Sequence, residues 1–381
     1  MTVRRTKRGD ERTSLDGTTA DVVICGASFA GLAVARELAG TGADVLVVDR
    51  YEVGERATSA CAAPTPWLHA MGVAGAIRQE LPYMRFTTPH GSVRYRLPWS
   101  WSAFDYRHLC ELLHAQADAR FDTAKVEGRT EAGVLTDRGE IEAPLVVDAL
   151  GWKRVLGSMY QPPEAPLSRG LEAHPPHDAS GDELHCWIER SVVRRGYGWH
   201  VPAGGEVRVG VGSYDPRRHV KEATVALAER EAGGVGRFQG NWFPHRLRDA
   251  ADDRTFFAGD SAGHCFPLSG EGIRTAFYFG IAAGREIANV LEGSKPREQA
   301  LRDYAAFSAR HAPAFRRALR LQRLVPALPP RALALGLRAF TPFVDHAFSW
   351  YLNQAHPGMA TSWERTQTSS RRAGRPSAKA I

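Results

Sequence analysis

Residues 21–50, DVVICGASFAGLAVARELAGTGADVLVVDR, read as a strand, a tight glycine turn, a helix and a second strand ending in an acid. Val22, Val23 and Ile24 form a short β-branched run, Gly26 and Gly31 bracket the turn, residues 30–39 are rich in helix formers, and residues 45–48 return to an apolar run. Each residue type has a physical task at that spacing. Gly26 permits a sharp turn, and Gly31 lets helix and strand approach closely. The start of the helix offers unpaired N–H groups to a pyrophosphate, and Asp49 accepts from a ribose hydroxyl, with Arg50 beside it. The middle glycine of the pattern is replaced by Ser28, whose Cβ crowds a pyrophosphate unless its hydroxyl bonds to it. The stretch predicts a dinucleotide-binding βαβ unit and leaves open whether the cofactor is a nicotinamide or a flavin.

The remaining 351 of 381 positions decide between them, and composition narrows the field first. A hydrophobic fraction of 43% is ample for a buried core. The formal charge of +7 resides in the ends: residues 1–12 carry five basic and two acidic side chains, and residues 364–381 carry five basic and one acidic. The body between them is neutral, so we expect solvated polar tails and no nucleic-acid partner. Cys25, Cys61, Cys110, Cys186 and Cys265 are odd in number and contain no CxxC pair. That pattern implies reduced thiols in a cytoplasmic protein, with neither a disulfide framework nor a metal site. No leader-type apolar core follows the basic N-terminus, and no apolar run is long enough to span a bilayer.

Along the chain, residues 51–72 read as a loop-rich passage of small side chains, and residues 83–97 as a hairpin turned at His90-Gly91. Asp105 caps a helix with Leu109, Leu112, Leu113 and Ala117 on one face. Arg107 lies in its first turn, a poor place for a cation without an anion nearby, which makes it a cofactor-phosphate candidate. A hairpin at 134–143 leads to a buried strand ending at Asp148, and residues 158–182 cross into a substrate region. Strands at 184–188 and 197–213, a helix at 220–231, a Gly-rich loop and a short strand at 255–258 follow. From Pro296 the chain reads as helical and basic. Its apolar, arginine-broken stretch at 324–352 suits core helices, a cover over an apolar substrate, or peripheral contact with a membrane.

A second passage, FFAGDSAGHCFPLSGEGIRTAFYFGIAAG at 256–284, favours the flavin. A buried strand delivers Asp260 at its C-terminal end, where a carboxylate can accept from a polyol. A loop then leads through Gly270 and Gly272 into a small-residue helix at Ile273, whose N-terminus can stabilise negative charge on a reduced flavin ring. Here the sequence resembles the flavoprotein superfamily of aromatic hydroxylases, flavin halogenases and geranylgeranyl reductases, in which such a GD motif contacts the FAD ribityl chain. Asp148-Ala149 stands where the superfamily has Asp-Gly, and Arg107 falls where members carry a helix-start arginine near the cofactor.

Tyr197-Gly198-Trp199-His200-Val201-Pro202, followed by Gly210-Val211-Gly212, is similar to the Tyr-x-Trp-x-Phe-Pro and Gly-x-Gly signature of the geranylgeranyl reductase family. On a strand, Tyr197 and Trp199 share a face and make an aromatic wall. Cys61 lies where the reductases often have a Cys-Gly-Gly turn near the flavin, although Ala62 and Ala63 replace both glycines. His264, His200 and Glu271 could serve as acids, although a histidine or glutamate in a cofactor loop is more often a hydrogen-bonded structural group. The resemblance implies an α/β fold with a Rossmann-like FAD-binding domain, an interleaved β-sheet substrate domain and a C-terminal helical region. The implied partition is 1–19 and 361–381 as tails; 20–80, 100–160 and 250–295 as the composite FAD domain; 81–99 and 161–249 as the substrate domain; and 296–360 as the helical region. It also implies reduction of carbon–carbon double bonds in a small hydrophobic, isoprenoid-type substrate, with NADPH or a protein donor as reductant. The alternatives are a flavin monooxygenase (hydroxylase, epoxidase or halogenase) and a flavin-bound isomerase, cyclase or lipid-binding flavoprotein.

Overall fold

Two large β-sheets and a small one carry the chain, with helices between and behind them. The computed structural model describes residues 12–57, 62–157, 167–176 and 181–360. The βαβ unit forms where the sequence predicts it, as strand Val22–Cys25, helix Phe29–Glu37 and strand Val45–Asp49. These strands join Leu145–Asp148, Thr255–Phe257 and Arg120–Thr123 in a five-stranded, wholly parallel sheet. Cys25 aligns with both Val48 and Asp148, and Asp148 aligns with Phe257. Gly26, Asp49, Asp148 and the segment leading to Asp260 therefore leave the sheet along one edge, where open parallel sheets bind ligands. The strand Arg120–Thr123 escaped the sequence reading because RFDT has no apolar run; pairing to the outer side of Val45–Asp49 makes it a strand.

The helix Phe29–Glu37 is buried on all sides because the long helix Ile273–Leu291 lies over it. Gly280 and Gly284 provide the notch. A Cβ on Gly280 would stand 2.7 Å from the Ala30 carbonyl oxygen, and one on Gly284 would stand 2.6 Å from the Glu37 Cβ. The contacts advance in the same direction along both helices, so the two run parallel. By helical rise, the start of the second projects roughly 7 Å beyond the start of the first. Both N-termini thus face the ligand edge of the sheet, one set ahead of the other.

The second sheet has eight strands, in the order Arg237–Pro244, Leu167–His174, Val207–Ser213, Gly196–Pro202, Glu183–Trp187, Ile77–Thr88, Gly91–Phe104 and Ala62–Pro64. Its hairpin is longer than the 83–97 expected, because pairing continues through bulges near Ile77 and Leu81 as far as Phe104. The passage 51–72 is not all loop: Ala62–Pro64 is an edge strand and Thr65–Ala70 a helix, with Pro66 in its first turn and Trp67 fully buried. Leu167–His174 lies inside the expected crossover, and Arg237–Pro244 follows the Gly-rich loop; neither shows clean apolar alternation. The helix Lys221–Ala232 ends at Gly233, which adopts φ +66°, and packs on one face of this sheet. A Cβ on Gly198 would stand 2.7 Å from Leu227 Cδ2. Tyr197 and Trp199 therefore point to the opposite face, as the period-two pattern requires.

A small sheet, Thr18–Thr19 with Gly139–Glu142, Gly133–Thr136 and Val126–Arg129, closes the other side of the βαβ unit. Four helices, Arg297–Ala309, Ala312–Leu324, Pro330–Phe340 and Val344–Leu352, complete the described chain. Buried Tyr304 ties the first of them to the parallel sheet by donating to the Phe257 carbonyl at 2.8 Å.

Candidate functional site

At the ligand edge, Gly26 adopts φ +112°, and a Cβ there would stand 2.4 Å from the Ala149 carbonyl oxygen. A Cβ on Gly31 would fall 1.9 Å from the Gly26 carbonyl oxygen. The two glycines therefore let the turn, the helix and the Asp148 loop converge on one point. Asp49 braces this turn, accepting from Ala27 N–H at 2.9 Å and Tyr51 N–H at 3.1 Å, one to each carboxylate oxygen. Each oxygen keeps a lone pair for a hydroxyl donor. Neither Ser28 nor Gly272 caps its helix with a side chain, so both helix starts keep N–H groups for an anion. The Ser28 hydroxyl instead accepts from the Tyr106 hydroxyl at 3.1 Å.

Asp148 organises the edge from below. Its carboxylate accepts from Leu150 N–H, Leu156 N–H and the Ser261 hydroxyl at 2.7–2.9 Å, joining the Asp-Ala turn to the GD motif. Asp260 differs in kind. No described residue donates to its carboxylate, and the nearby Gly272 leaves it room, with a hypothetical Cβ 3.9 Å from Oδ1. Burial pushes the Asp260 carboxyl up to about 7. A carboxyl raised in the fold binds its proton more tightly there than in the unfolded chain. The cofactor-free protein should therefore lose stability as pH rises from about 4 to about 7, and Asp260→Asn should remove that slope in pH-dependent thermal melting.

The loop joining the GD motif to the long helix is held from two directions. From the eight-stranded sheet, Tyr197 donates its hydroxyl to the Ser269 carbonyl, and Tyr214 donates to the Leu268 carbonyl at 2.6 Å. From the C-terminal helices, Gln322 accepts from Leu268 N–H at 2.8 Å, and Tyr351 bonds to the Ser269 hydroxyl at 2.7 Å and to the Glu271 carboxylate. Glu271 receives Arg274 at 2.7 and 2.6 Å, a bidentate pair with both side chains buried. Gly270 (φ +68°) and Leu268 (φ +72°) take the left-handed conformations the loop needs.

Tyr197 and Trp199 do share a face, with ring centroids 5.8 Å apart. The Trp199 indole lies across Gly210, where a Cβ would stand 2.2 Å from Cζ2, and reaches Glu172 with a 2.9 Å N–H···O bond. Registers Trp199↔Gly210 and Gly210↔Glu172 place these three residues in one row, so the glycines of the Gly-x-Gly element are the seat of the indole. Buried Glu172 also accepts from Gln239 at 2.6 Å and pairs with His174 at 2.7 Å. Burial lowers the His174 pKa, but its bonds to Glu172 and Glu206 outweigh this and hold it above the usual value. Gly210→Ala should lift the indole off the sheet. The expected cost is about 1–3 kcal/mol of stability, read in denaturant titration, with a changed tryptophan emission.

The other sequence candidates lie in differing settings. Arg107 sits at the start of helix Tyr106–His114, next to the Ser28 contact, with Glu111 3.0 Å from its Nε and the Gly54 turn packed on its backbone. Asp105 caps this helix as expected. Arg50 is exposed and lies 5.0 Å from the Tyr51 ring. Cys61 lies outside the described residues. His264 does not suit an acid: it is fully buried, stacks on Phe279 at 3.7 Å and bonds to the Ser308 hydroxyl at 3.0 Å, and burial drives its pKa well down. His200 faces His185 across a strand pair. Tyr106, Glu172, Tyr214, Gln322 and Tyr351 were not legible, since each reaches the site from a distant part of the chain. Arg274 left a signal in its i, i+3 spacing from Glu271.

No protein-family model matches the chain. It is 26% identical over 321 residues to a menaquinone reductase of Mycolicibacterium smegmatis, covering 72% of this chain and 76% of that protein. It is 24% identical over 331 residues to digeranylgeranylglycerophospholipid reductase 3 of Methanosphaera stadtmanae, covering 76% and 83%. A geranylgeranyl bacteriochlorophyll reductase-like protein of Thermoplasma acidophilum superposes with a TM-score of 0.75 at 17% identity, over 91% of this chain and 99% of that one. The chain is thus similar in sequence to these reductases, and it shares its fold with a geranylgeranyl bacteriochlorophyll reductase-like protein. The resemblance read from the motifs therefore stands, as does the Rossmann-like α/β fold class. The fold is not exclusive to reductases: a flavin-dependent brominase superposes with a TM-score of 0.67 at 15% identity, over 93% of this chain and 100% of that one.

Proposed function

We propose that the protein is an FAD-dependent reductase of carbon–carbon double bonds in a hydrophobic, isoprenoid-type substrate. The observation that carries the cofactor reading is the Asp260 carboxylate, to which no described residue donates, beside two parallel, uncapped helix starts on the edge of a parallel sheet. That arrangement offers an acceptor for a polyol and donors for two separate anionic groups, as FAD requires and a nicotinamide cofactor does not. In this reading Gly26, Ser28 and Gly31 cradle the pyrophosphate, Asp49 takes the ribose hydroxyls, and Arg107 with Arg50 supplies positive charge nearby. Gly272 and Ile273 present N–H groups to the flavin ring, while Gly270, whose own N–H is donated to the Phe266 carbonyl at 3.1 Å, shapes the loop that delivers them.

When bound and reduced, FAD supplies a hydride. The chain's own part is placement. Tyr197 and Trp199 hold an apolar chain by contact and exclude water from it. Tyr197 can do so without acid chemistry, because burial raises its pKa and its hydroxyl is committed to the Ser269 carbonyl. Cys61 belongs to this proposal as a flavin-adjacent residue. Reducing equivalents come from NADPH or a protein donor, and the names of the two reductase relatives support the substrate class.

Asp260→Ala should weaken FAD retention about 10–100-fold, the worth of a hydrogen bond to a charged acceptor; a variant purified fully yellow would remove Asp260 from the ribityl site. The reaction is tested by photoreducing the FAD-loaded protein without air and adding an unsaturated isoprenoid lipid. Return of the oxidised flavin spectrum supports the reading. A flavin that stays reduced until air is admitted, with the substrate then oxygenated, favours the monooxygenase.

A further inference from the structure

Eight large apolar side chains are exposed among the described residues, and six of them, Leu321, Leu324, Leu335, Phe340, Phe343 and Trp350, belong to the C-terminal helices and their connections. Leu335 is 69% exposed and Phe343 61%, so neither is covered by the other described residues. The same region carries charge of one sign. Residues 304–344 contain seven arginines and no aspartate or glutamate. None of the seven is ion-paired among the described residues. The formally neutral body of the protein thus conceals a strongly basic segment.

Apolar and basic side chains are interleaved here. On helix Ala312–Leu324, Arg317, Leu321 and Leu324 recur at i, i+4 and i+7, away from buried Phe315 and Gln322. The Arg317 guanidinium lies 5.4 Å from the Trp350 ring, which brings helix Val344–Leu352 to the same flank. On Pro330–Phe340, exposed Arg331, Leu335 and Arg338 repeat the spacing on the side turned from buried Leu333, with buried Ala334 at the stripe's edge and the Arg338 guanidinium donating to the His90 carbonyl at 3.3 Å. The exposed turn carrying Phe343 links these two helices.

We propose that this face docks the protein on an anionic lipid bilayer, with its apolar side chains in the interfacial layer and its guanidiniums on lipid phosphates. A second copy of the chain fits less well, because it would set one arginine stripe against another. A nucleic acid would leave the apolar side chains against its phosphates. No helix among the described residues is long and apolar enough to cross a membrane, so the contact is peripheral in these helices. Through Tyr351 and Gln322 the same helices hold the 268–271 loop, so the docked surface stands directly behind the site. The inference goes beyond the catalytic reading and does not depend on it.

The test is flotation of the full-length, FAD-loaded protein with phosphatidylcholine vesicles and with vesicles also containing phosphatidylglycerol. The wild type should float with the anionic vesicles and bind about tenfold or more weakly in high salt or on neutral vesicles. A Leu335→Ser/Phe343→Ser variant should lose binding about tenfold while keeping its flavin, its melting temperature and its turnover of detergent-dispersed substrate. Arg317→Gln/Arg331→Gln should lose the preference for anionic lipid. Wild-type binding by the Ser variant would assign membrane contact to the basic tails and overturn the proposal. So would a lipid-free dimer that the Ser variant abolishes, or binding to DNA that outcompetes vesicles. Failed turnover with vesicle binding intact would count against the catalytic reading alone.

Discussion

Gly31→Ala is expected to yield a protein without bound flavin and with a sharply lowered melting temperature. The methyl group would fall 1.9 Å from the Gly26 carbonyl oxygen, less than any real Cβ contact, and the obstacle is backbone rather than a flexible side chain. The helix cannot retreat to make room. Its opposite face is locked into Gly280 and Gly284, which themselves have no space for a Cβ, and the whole helix is buried. The turn cannot retreat either, because Gly26 already lies against the Ala149 carbonyl. Overpacking at a site closed on both sides should cost about 3 kcal/mol or more. Calorimetry and the flavin absorbance of the purified variant check this together. A yellow variant with an unchanged melting temperature would mean that the helix and turn do not meet as described.

The second large effect is expected at the buried Glu271–Arg274 pair. Glu271→Ala leaves the Arg274 guanidinium buried without a counter-charge among the described residues, its remaining contacts being neutral: the Leu352 carbonyl at 3.1 Å, the Tyr351 carbonyl at 3.5 Å and the Tyr351 ring at 4.9 Å. Breaking such a pair from one side costs about 3–5 kcal/mol, most of it from the uncompensated charge. The same carboxylate anchors Tyr351, so the loop at 268–272 should loosen from the C-terminal helices. We therefore expect lower stability and faster flavin loss in Glu271→Ala. The double variant Glu271→Leu/Arg274→Met should recover much of the stability, because both charges are gone, but not the loop anchoring. Recovery of flavin retention along with stability would show that the pair acts through folding alone, and equal destabilisation in single and double variants would contradict the ion-pair account.

What the sequence made legible follows from how local each signal is. The βαβ unit announces itself because its strand, turn and helix are contiguous, and Gly26, Gly31 and Asp49 meet through neighbours within one segment. The face shared by Tyr197 and Trp199 follows from a period of two within a single strand. The physical reason for Gly210 does not, since it appears only once the strand register sets Trp199 and Glu172 on either side of it. Arg120–Thr123 and Arg237–Pro244 were missed because edge strands need little apolar patterning of their own. For His264 the sequence leaves an acid and a hydrogen-bonded structural group both open, and its stacking on Phe279, which lies on the helix that follows, decides for the structural group. The clamp of the 268–272 loop joins four separated parts of the chain, and no local pattern reports it.

The most direct test of the central claim is mass spectrometry of an unsaturated isoprenoid lipid after incubation with the anaerobically reduced, FAD-loaded protein, alongside a matched sample in air. The account predicts products heavier by pairs of hydrogens without air, formed in proportion to the flavin reoxidised. A product that gains oxygen, and only when air is admitted, would contradict it and place the protein with the monooxygenases of the same fold.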